Sequence, residues 1–472
     1  MPPTPDRLSA LDAAFLDLET ARAPLHVGWT MRFAGSAPEP AALRRHVDGR
    51  LDGIPRFRRR VVRPPLGLGD PHWADDRGFD IARHVHAVRL GPPAGPAELR
   101  RLAGILLSTP LEEHRPLWRL YLVTGLHEGG FAIVGQAHHA LVDGMAAVEV
   151  ATMLFDELPP AGAPAPWAPA RGPSAIEALR HAAGRRVHAG TGAAQALARS
   201  ATAGAGGLRE ATASVTALTS AAPATALDRS ATRERHVGFA RAPLDALRTG
   251  ARRHGGTVND GLLAAATIAV GDALRRRGEH HETVRALVPA STRADAERAV
   301  DHGNRISFIA VDLPVGEPDP VRILQLVRAR TRARKLAGDA GAGDALLRAA
   351  DLLPPAGRGA VARAAAARAS FSVIVSNVPG PPVSLRLLGR ELIDVWPAVP
   401  LLDGRALTIG ALSYRGVLHI GLYADAVVVP DAARIAADLE RALAVVSALP
   451  ARTATPWRAR ARLRRDRLRA AG

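Results

Sequence analysis

The segment HHALVDG, His138 to Gly144, holds the residue types in this chain best suited to proton transfer. A histidine near its ordinary pKa of about 6.5 can remove a proton from an alcohol at neutral pH, which raises a rate by typically ~10² to 10⁴. The segment follows the apolar run Phe131 to Val134 and precedes a second apolar run that starts at Met145. A junction between a strand and a helix often carries function. The spacing alone is equally compatible with a general base and with a hydrogen-bonded pair of core histidines.

The two histidines are expected to have different roles. Neighbouring side chains of an extended segment point to opposite faces, so His138 and His139 cannot both face one cavity. We expect one to do the chemistry and the other to support it. Asp143 stands at the expected start of a helix, where it can cap backbone N–H groups or pair with an arginine, and Gly144 lets the backbone pass closely. A third ligand beside the pair is missing from the sequence, which disfavours a metal site.

Helix and strand signals alternate around this segment. Ser9 and Asp12 form a predicted capping box at the start of a helix, and Thr257 and Asp260 form another. The segments rich in β-branched and aromatic residues predict strands; they begin at His26, Leu117, Phe131, Thr283, Arg305, Ser370, Leu407 and Val417. A strict βαβα rhythm is absent, so the sequence predicts an α/β protein with a mixed sheet in each of two halves.

The composition changes between residues 159 and 232, where a Pro/Ala-rich stretch is followed by Ala, Thr, Gly, Ser and Arg. This pattern is typical of a linker. At 472 residues the chain is about three times the size of a common domain. We therefore predict an N-terminal domain over residues 1–158, a linker over 159–232, a C-terminal domain over 233–450 and a basic tail over 451–472.

Several classes of function are excluded by what the sequence lacks. The chain contains no cysteine, which excludes disulfides, thiolate metal sites and a cysteine nucleophile. The common phosphate-loop, dinucleotide, zincin and serine-hydrolase motifs are also missing. Neither a signal peptide nor a long apolar run is recognisable, which favours a cytoplasmic protein.

The formal charge of +17 is partly concentrated in the tail, where eight arginines stand against one aspartate. Alternation of these arginines with Trp457, Leu463 and Leu468 suits an anionic membrane surface, although a solvated, frayed tail is the other interpretation. We do not expect nucleic-acid binding, because no aromatic-basic stacking platform accompanies the charge.

HHALVDG resembles the HHxxxDG motif of the bacterial wax ester synthase/diacylglycerol acyltransferase family, and an ordered set of further motifs extends the resemblance over roughly residues 8–449. The matching segments, in chain order, are LSALDAAFLDLE with Pro24, His26, Val27 and Gly28; Arg115 to Trp118; Asn259–Asp260; Val288 to Arg293; Gly303–Asn304; Ser376 to Pro381; and Ser413 to Gly416. Such an ordered set is far more specific than a single HHxxxDG.

The resemblance implies two chloramphenicol-acetyltransferase-like domains around a shared tunnel. It implies that His139 is the general base for transfer of a fatty acyl group from acyl-CoA to diacylglycerol, to a long-chain alcohol, or to both. Acyl-CoA would be a co-substrate, and no resident cofactor or metal is implied. A thiol leaving group with a pKa near ~8.5 needs no covalent enzyme nucleophile, so direct transfer is expected.

The remaining motif residues receive roles on the same basis. Asn259 is the candidate donor to the oxyanion of the thioester carbonyl, with helix capping beside Thr257 as the alternative. Asp260 is expected to cap the helix or to form a salt bridge, and to lie beside the substrate with Gly144. Ser376 and Asn377 would shape the tunnel or simply end a strand in a Pro-Gly turn. The Pro116-Leu117-Trp118 block is expected to pack under the active site.

Two positions depart from the family pattern. Arg119 stands where the family usually has an acidic residue, and Gln136 replaces a basic residue often found two positions before the histidine pair. Two other functions stay open: a non-catalytic lipid-binding protein that kept the fold, and an acyltransferase that uses a carrier-protein thioester. The expected location is the cytoplasm, with peripheral contact to the inner face of the cell membrane or to lipid bodies.

Overall fold

The computed structural model describes residues 6–64, 71–92, 94–127, 129–142, 146–158, 167–170, 222–290, 307–336, 357, 359–360, 363–364 and 370–450. Asp143 and Gly144, most of the predicted linker and the basic tail lie outside these ranges. Among the described residues, no helix combines the length and apolar character that crossing a bilayer requires.

The first half of the chain builds a mixed sheet with helices beside it. Its elements are β1 (Asp6–Arg7), α1 (Ala10–Leu18), β2 (His26–Phe33), α2 (Pro40–Asp48), β3 (Arg59–Val62), β4 (His72–Asp75), β5 (Val85–Arg89), α3 (Pro96–Leu107), β6 (Trp118–Thr124), β7 (Phe131–His138) and α4 (Ala146–Leu154). Strands β2, β7, β6 and β5 are neighbours in that order. The pair β5–β6 is parallel, whereas β2–β7 and β6–β7 are antiparallel.

Strands β1, β4 and β3 of the first half form a separate three-stranded sheet, and the second half builds a six-stranded sheet in the order β10, β9, β11, β14, β15, β8. Its elements are β8 (Arg235–Pro243), α5 (Leu244–Arg253), α6 (Val258–Arg276), β9 (Val284–Ala290), β10 (Ser307–Leu313), α7 (Pro320–Leu336), β11 (Val373–Val378), β12 (Arg386–Leu387), β13 (Arg390–Ala398), β14 (Leu407–Tyr414), β15 (Val417–Asp425) and α8 (Ala432–Ser447). Alanine, leucine and valine side chains fill the core between this sheet and its helices.

Strand β13 leaves the second half and completes the sheet of the first. It pairs antiparallel with β2, with Asp394 opposite Arg32 and Ala398 opposite Gly28. On its way it passes very close to β15, because a Cβ atom added to Gly421 would lie 1.9 Å from the carbonyl oxygen of Pro397. A glycine is therefore required where the crossing strand lies on the second sheet.

Helix α3 fills the contact between the two halves. It packs on β8, where a Cβ atom at Gly104 would lie 2.2 Å from the carbonyl oxygen of Arg235. The hydroxyl of Tyr423 donates a hydrogen bond of 3.0 Å to the carbonyl oxygen of Leu107, the last residue of the helix. A small apolar cluster that includes Val134 and Val237 joins the two sheets around α3.

The structure confirms the predicted mixed sheets and many of the predicted element boundaries. Ser9 caps α1 as predicted, accepting a hydrogen bond of 3.0 Å from the backbone N–H of Asp12, and β2 has the predicted bounds. The sequence did not predict β8 or β13. Charged residues interrupt the apolar pattern of both strands. Two of these residues, Arg235 and Asp394, are nevertheless buried, with 4% and 2% of their surface exposed.

Candidate active site

The register of β2 and β7 brings two histidines from distant parts of the chain to one place. His26 is the first residue of β2 and lies directly opposite His138, the last residue of β7. Directly opposite residues of an antiparallel pair share one face of the sheet. Both side chains are buried, and their rings meet edge to face with centroids 5.8 Å apart.

Glu19 holds both of these histidines. It follows the last turn of α1 as its C-cap residue, and its two carboxylate oxygens lie 3.3 Å from Nε2 of His26 and 3.3 Å from Nε2 of His138. Nδ1 of His138 accepts a hydrogen bond of 3.0 Å from the backbone N–H of Ala140. Since Nδ1 accepts, the proton of neutral His138 resides on Nε2 and faces the carboxylate.

The pKa values of this cluster follow from burial and from these contacts. Burial alone would raise the pKa of Glu19, but the contacts with His138 and His26 lower it well below its usual range. Burial lowers the pKa of His26, and the neighbouring Glu19 offsets this only in part. Glu19 is therefore an anion at neutral pH, between two rings that it orients.

His139 lies just beyond the end of β7 and points away from this cluster. Its ring stacks on Phe15 of α1 with centroids 4.0 Å apart, and its backbone N–H donates a hydrogen bond of 2.9 Å to the carbonyl oxygen of Leu25. The side chain is half-buried, and Nδ1 is buried with no hydrogen-bond partner in the described part of the chain. The two histidines thus have different surroundings, while the expectation that one does the chemistry and the other supports it stays a prediction.

Burial is the main reason why the pKa of His139 is lowered to about 4; the backbone of His139 acts in the opposite direction, and the adjacent His138 adds a smaller lowering effect. The ring is therefore neutral at pH 7 and has a free lone pair. This is the protonation state that a general base requires before it reacts.

The Pro116-Leu117-Trp118 block supports the histidine segment from the side. The carbonyl oxygen of Leu117 accepts a hydrogen bond of 2.9 Å from the backbone N–H of His138. The indole N–H of Trp118 donates a hydrogen bond of 2.7 Å to the carbonyl oxygen of Phe57, and the ring stacks on His84 with centroids 4.7 Å apart. Trp118 is almost fully buried, so the expected packing role agrees with its contacts.

Asp260 closes a capping box with Thr257 at the start of α6. Its carboxylate accepts hydrogen bonds of 2.8 Å from the backbone N–H and from the hydroxyl of Thr257, and its own N–H donates to that hydroxyl at 3.2 Å. Asn259 stands next to it in the first turn and is half-buried. No contact among the described residues links Asn259 to His139, so its role toward an oxyanion stays a prediction.

Ser376 and Asn377 lie in β11, opposite Gly410 and Ala411 of β14. Because side chains alternate along a strand, the two residues face opposite sides of the second sheet. Only one of them can therefore share a face with the crossing strand. The loop after them is fixed to β14, since the backbone N–H of Gly380 donates a hydrogen bond of 3.1 Å to the hydroxyl of Ser413. A contact of either residue with substrate stays a prediction, as it does for Gly144.

The sequence comparisons agree with this architecture. A family model described as the wax ester synthase/diacylglycerol acyltransferase catalytic domain matches residues 8–262, and the C-terminal domain of the same family matches residues 302–446. The chain belongs to the wax ester synthase/diacylglycerol acyltransferase family. It is therefore an acyltransferase of this family, as the ordered motifs predicted.

Relatives of the wax ester synthase/diacylglycerol acyltransferase family match nearly the whole chain. A probable diacylglycerol O-acyltransferase, tgs1 of Mycobacterium tuberculosis, is 30% identical over 95% of this chain and 97% of its own length. The solved family structure from Marinobacter aquaeolei VT8 has a TM-score of 0.64 at 23% identity, covering 94% of this chain and 98% of that one. The first condensation domain of the CDA synthetase has a TM-score of 0.59 at 17% identity, covering 95% and 97%. These two structures confirm the predicted two-domain fold.

Glu19 is the main residue of this candidate site to which the sequence assigned no role. It stands inside the LSALDAAFLDLE motif, but nothing in that motif indicates which distant side chain it meets. The available signal was the combination of a carboxylate, a following His26 and a second histidine at a strand end. In the described ranges, no group of three His, Asp or Glu side chains is arranged to hold a metal ion.

Proposed function

We propose that this chain transfers a fatty acyl group from acyl-CoA to the free hydroxyl of diacylglycerol, forming triacylglycerol. The observation that carries the proposal is His139, a neutral, half-buried histidine that follows a strand whose last residue, His138, is held by Glu19. The diacylglycerol acyltransferase names of the full-length relatives favour this acceptor. A long-chain alcohol is the second acceptor that we propose to test.

The proposed step needs one base and no covalent intermediate on the protein. His139 takes the proton of the acceptor hydroxyl while the hydroxyl oxygen attacks the carbonyl carbon of the thioester. The C–S bond breaks, and the CoA thiolate leaves and takes the proton that His139 received, which gives the free thiol and returns His139 to its neutral form. Because Nδ1 of His139 is buried, we assign the proton transfer to Nε2.

The other residues of the site would position this base. Glu19 fixes the ring of His138, and the carbonyl oxygen of Leu117 fixes the backbone at the same residue. Asn259 is proposed as the donor to the oxyanion, an interaction of a kind worth about 3 kcal/mol. Acyl-CoA is proposed as the co-substrate, without a resident cofactor.

The test is release of free CoA from palmitoyl-CoA by the purified chain, with diacylglycerol or hexadecanol as acceptor and with the lipid product identified by chromatography. His139→Ala should lower the rate by about 10² to 10⁴. His236→Ala is the matched control, because His236 lies in the second half and is solvent-exposed. Acceptor-dependent release that the control keeps and His139→Ala loses would support the proposal.

The same assay separates the alternatives. If the folded chain releases no CoA with either acceptor, the proposal is overturned. Transfer only from a carrier-protein thioester would then indicate the carrier-dependent acyltransferase, and binding of lipid without transfer would indicate a non-catalytic protein.

Contact with a lipid surface is proposed for the basic tail, residues 451–472, since each of its arginines near an anionic surface would contribute roughly 1 kcal/mol. A chain without residues 452–472 should bind vesicles that contain anionic lipid more weakly than the full chain. Equal co-sedimentation of both would contradict a role for the tail.

A further inference from the structure

A second cleft lies between the two halves, far from His139. It is lined by Arg32 of β2, Arg100 of α3, Phe239 and Arg241 of β8, and Asp394 and Trp396 of β13, and it has a volume of about 350 Å³. Arg32 stands six residues along β2 from His26, which corresponds to roughly 20 Å at 3.3 Å per residue. The cleft therefore forms a site separate from the histidine cluster.

The charges that line this cleft are only partly compensated. Asp394 is buried and is held by Arg32, whose Nε and Nη2 lie 2.8 Å and 2.7 Å from its carboxylate. Arg241 lies 3.9 Å from the same carboxylate with 62% of its side chain exposed. Arg100 forms no ion pair with a described carboxylate. The exposed Glu440 also lines the cleft, so three guanidinium groups face two carboxylates.

Trp396 adds a hydrogen-bond donor that has no partner. Its ring stacks face to face on Phe239, with centroids 4.3 Å apart and an interplanar angle of 7°. Its indole N–H is buried and meets no acceptor among the described residues. A buried donor without an acceptor is costly, but this N–H is closed to solvent, so the stacked rings of Trp396 and Phe239 give the cleft an apolar wall.

The start of α3 also borders the cleft, but it does not supply free donors there. The backbone N–H of Gly95 already donates a hydrogen bond of 2.9 Å to the carboxylate of Glu98. The donors available to a ligand are thus the guanidinium groups of Arg100 and Arg241.

We propose that this cleft binds a phosphate group. A phosphate presents several acceptor oxygens and negative charge, which guanidinium groups recognise with strong, charge-assisted hydrogen bonds. The volume of about 350 Å³ falls within the range of small-ligand pockets, which leaves room for a group attached to the phosphate. Arg100 belongs to the first half and Arg241 to the second, so the bound phosphate would join them.

The test is isothermal titration calorimetry of the full chain with inorganic phosphate, with glycerol 3-phosphate and with CoA. The double variant Arg100→Ala/Arg241→Ala should bind phosphate about tenfold or more weakly than the unchanged protein. The control, Arg252→Ala/Arg434→Ala, removes the same charge from exposed positions on α5 and α8 and should bind as the unchanged protein does. Trp396→Phe keeps the stacked ring and removes a donor that is closed to solvent, so it should bind phosphate as the unchanged protein does.

The three probes also distinguish the source of the phosphate. Tighter binding of CoA, together with a raised KM for acyl-CoA in the double variant, would assign the site to the phosphates of CoA. Tighter binding of glycerol 3-phosphate with an unchanged KM would assign the site to a lipid headgroup. Equal binding of all three probes would assign it to free phosphate. If the unchanged protein binds none of them, or if the double variant binds as the control does, the proposal is overturned. This proposal does not rest on acyl transfer.

Discussion

Arg119 and Gln136 lie directly opposite each other on β6 and β7. These are the two positions at which we expect the sequence to depart from the family pattern. In this chain Arg119 pairs instead with Glu112 at 3.0 Å. The amide of Gln136 donates a hydrogen bond of 3.0 Å to the carbonyl oxygen of Thr109. The two residues are therefore neighbours across the strands, and each has a different partner.

A double-mutant cycle on this pair should show coupling. Arg119→Glu places a carboxylate beside Glu112, and Gln136→Lys buries an unpaired charge, since Gln136 is fully buried. Each single change should destabilise the protein, the second by about 3 kcal/mol or more. The double variant should recover part of that loss, because the two new charges pair. Urea unfolding measures the four proteins, and strictly additive losses would contradict the coupling.

Glu19→Gln should lower the proposed transferase activity about 10- to 100-fold, because the neutral amide no longer orients His138 and His26 as an anion does. Asp17→Asn on the same helix is the matched control and should stay close to the activity of the unchanged protein. The acid limb of the pH profile should also move in Glu19→Gln, a change that a loss of folded protein alone would not produce. An unchanged rate and profile would contradict a positioning role.

The low pKa of His139, about 4, predicts an unusual pH dependence. The ring stays neutral down to about pH 5, so kcat/KM should be flat between roughly pH 6 and 8 and fall only near pH 4. Between the unfolded pKa of about 6.5 and the folded value, the unfolded chain binds more protons. His139 therefore reduces stability as the pH falls through that window. An acid limb centred near pH 6.5 would contradict the assignment.

Trp118→Phe should cost more stability than Trp29→Phe. The indole N–H of Trp118 donates to the carbonyl oxygen of Phe57. The substitution leaves that buried acceptor without a donor, which should lower the free energy of unfolding by about 1 to 3 kcal/mol. The indole N–H of Trp29 is buried without an acceptor among the described residues, so its loss removes no hydrogen bond. Thermal unfolding of both variants measures the difference, and equal losses would show that ring packing dominates.

Gly421→Ala should disrupt the crossing of β13 over β15. The added methyl would overlap the carbonyl oxygen of Pro397, and backbone cannot yield as the end of a flexible side chain can. We expect a loss of several kcal/mol or failure to fold. Gly91→Ala is the control, since nothing lies within 4 Å of an added Cβ there. Equal unfolding midpoints for the two variants would contradict the close contact.

The sequence predicted local structure and the position of the histidine segment well. The capping residues Ser9 and Thr257 and the strand from His26 follow from short patterns that the chain carries within a few residues. The family and its two-domain fold followed from the order of the motifs.

The sequence did not predict the contacts that depend on register between distant strands. Glu19 and His138 meet only because β2 pairs with β7 with His26 opposite His138. Strand β13 escaped prediction because Asp394 breaks its apolar pattern, and that buried charge is stabilised by Arg32 from β2. In both cases the decisive partner lies in a part of the chain that no local pattern can indicate.

The crossing of β13 also constrains how the chain can fold as it is made. Arg32 and Asp394 are separated by 362 residues, which a ribosome adds in roughly 20 to 70 s at 5 to 20 residues per second. Until β13 is made, the side of β2 that faces away from β7 has no strand beside it. Such an open edge can pair with another chain. The sheet of the first half is therefore incomplete during most of synthesis. We expect the yield of folded protein to depend on protection of that edge during this time.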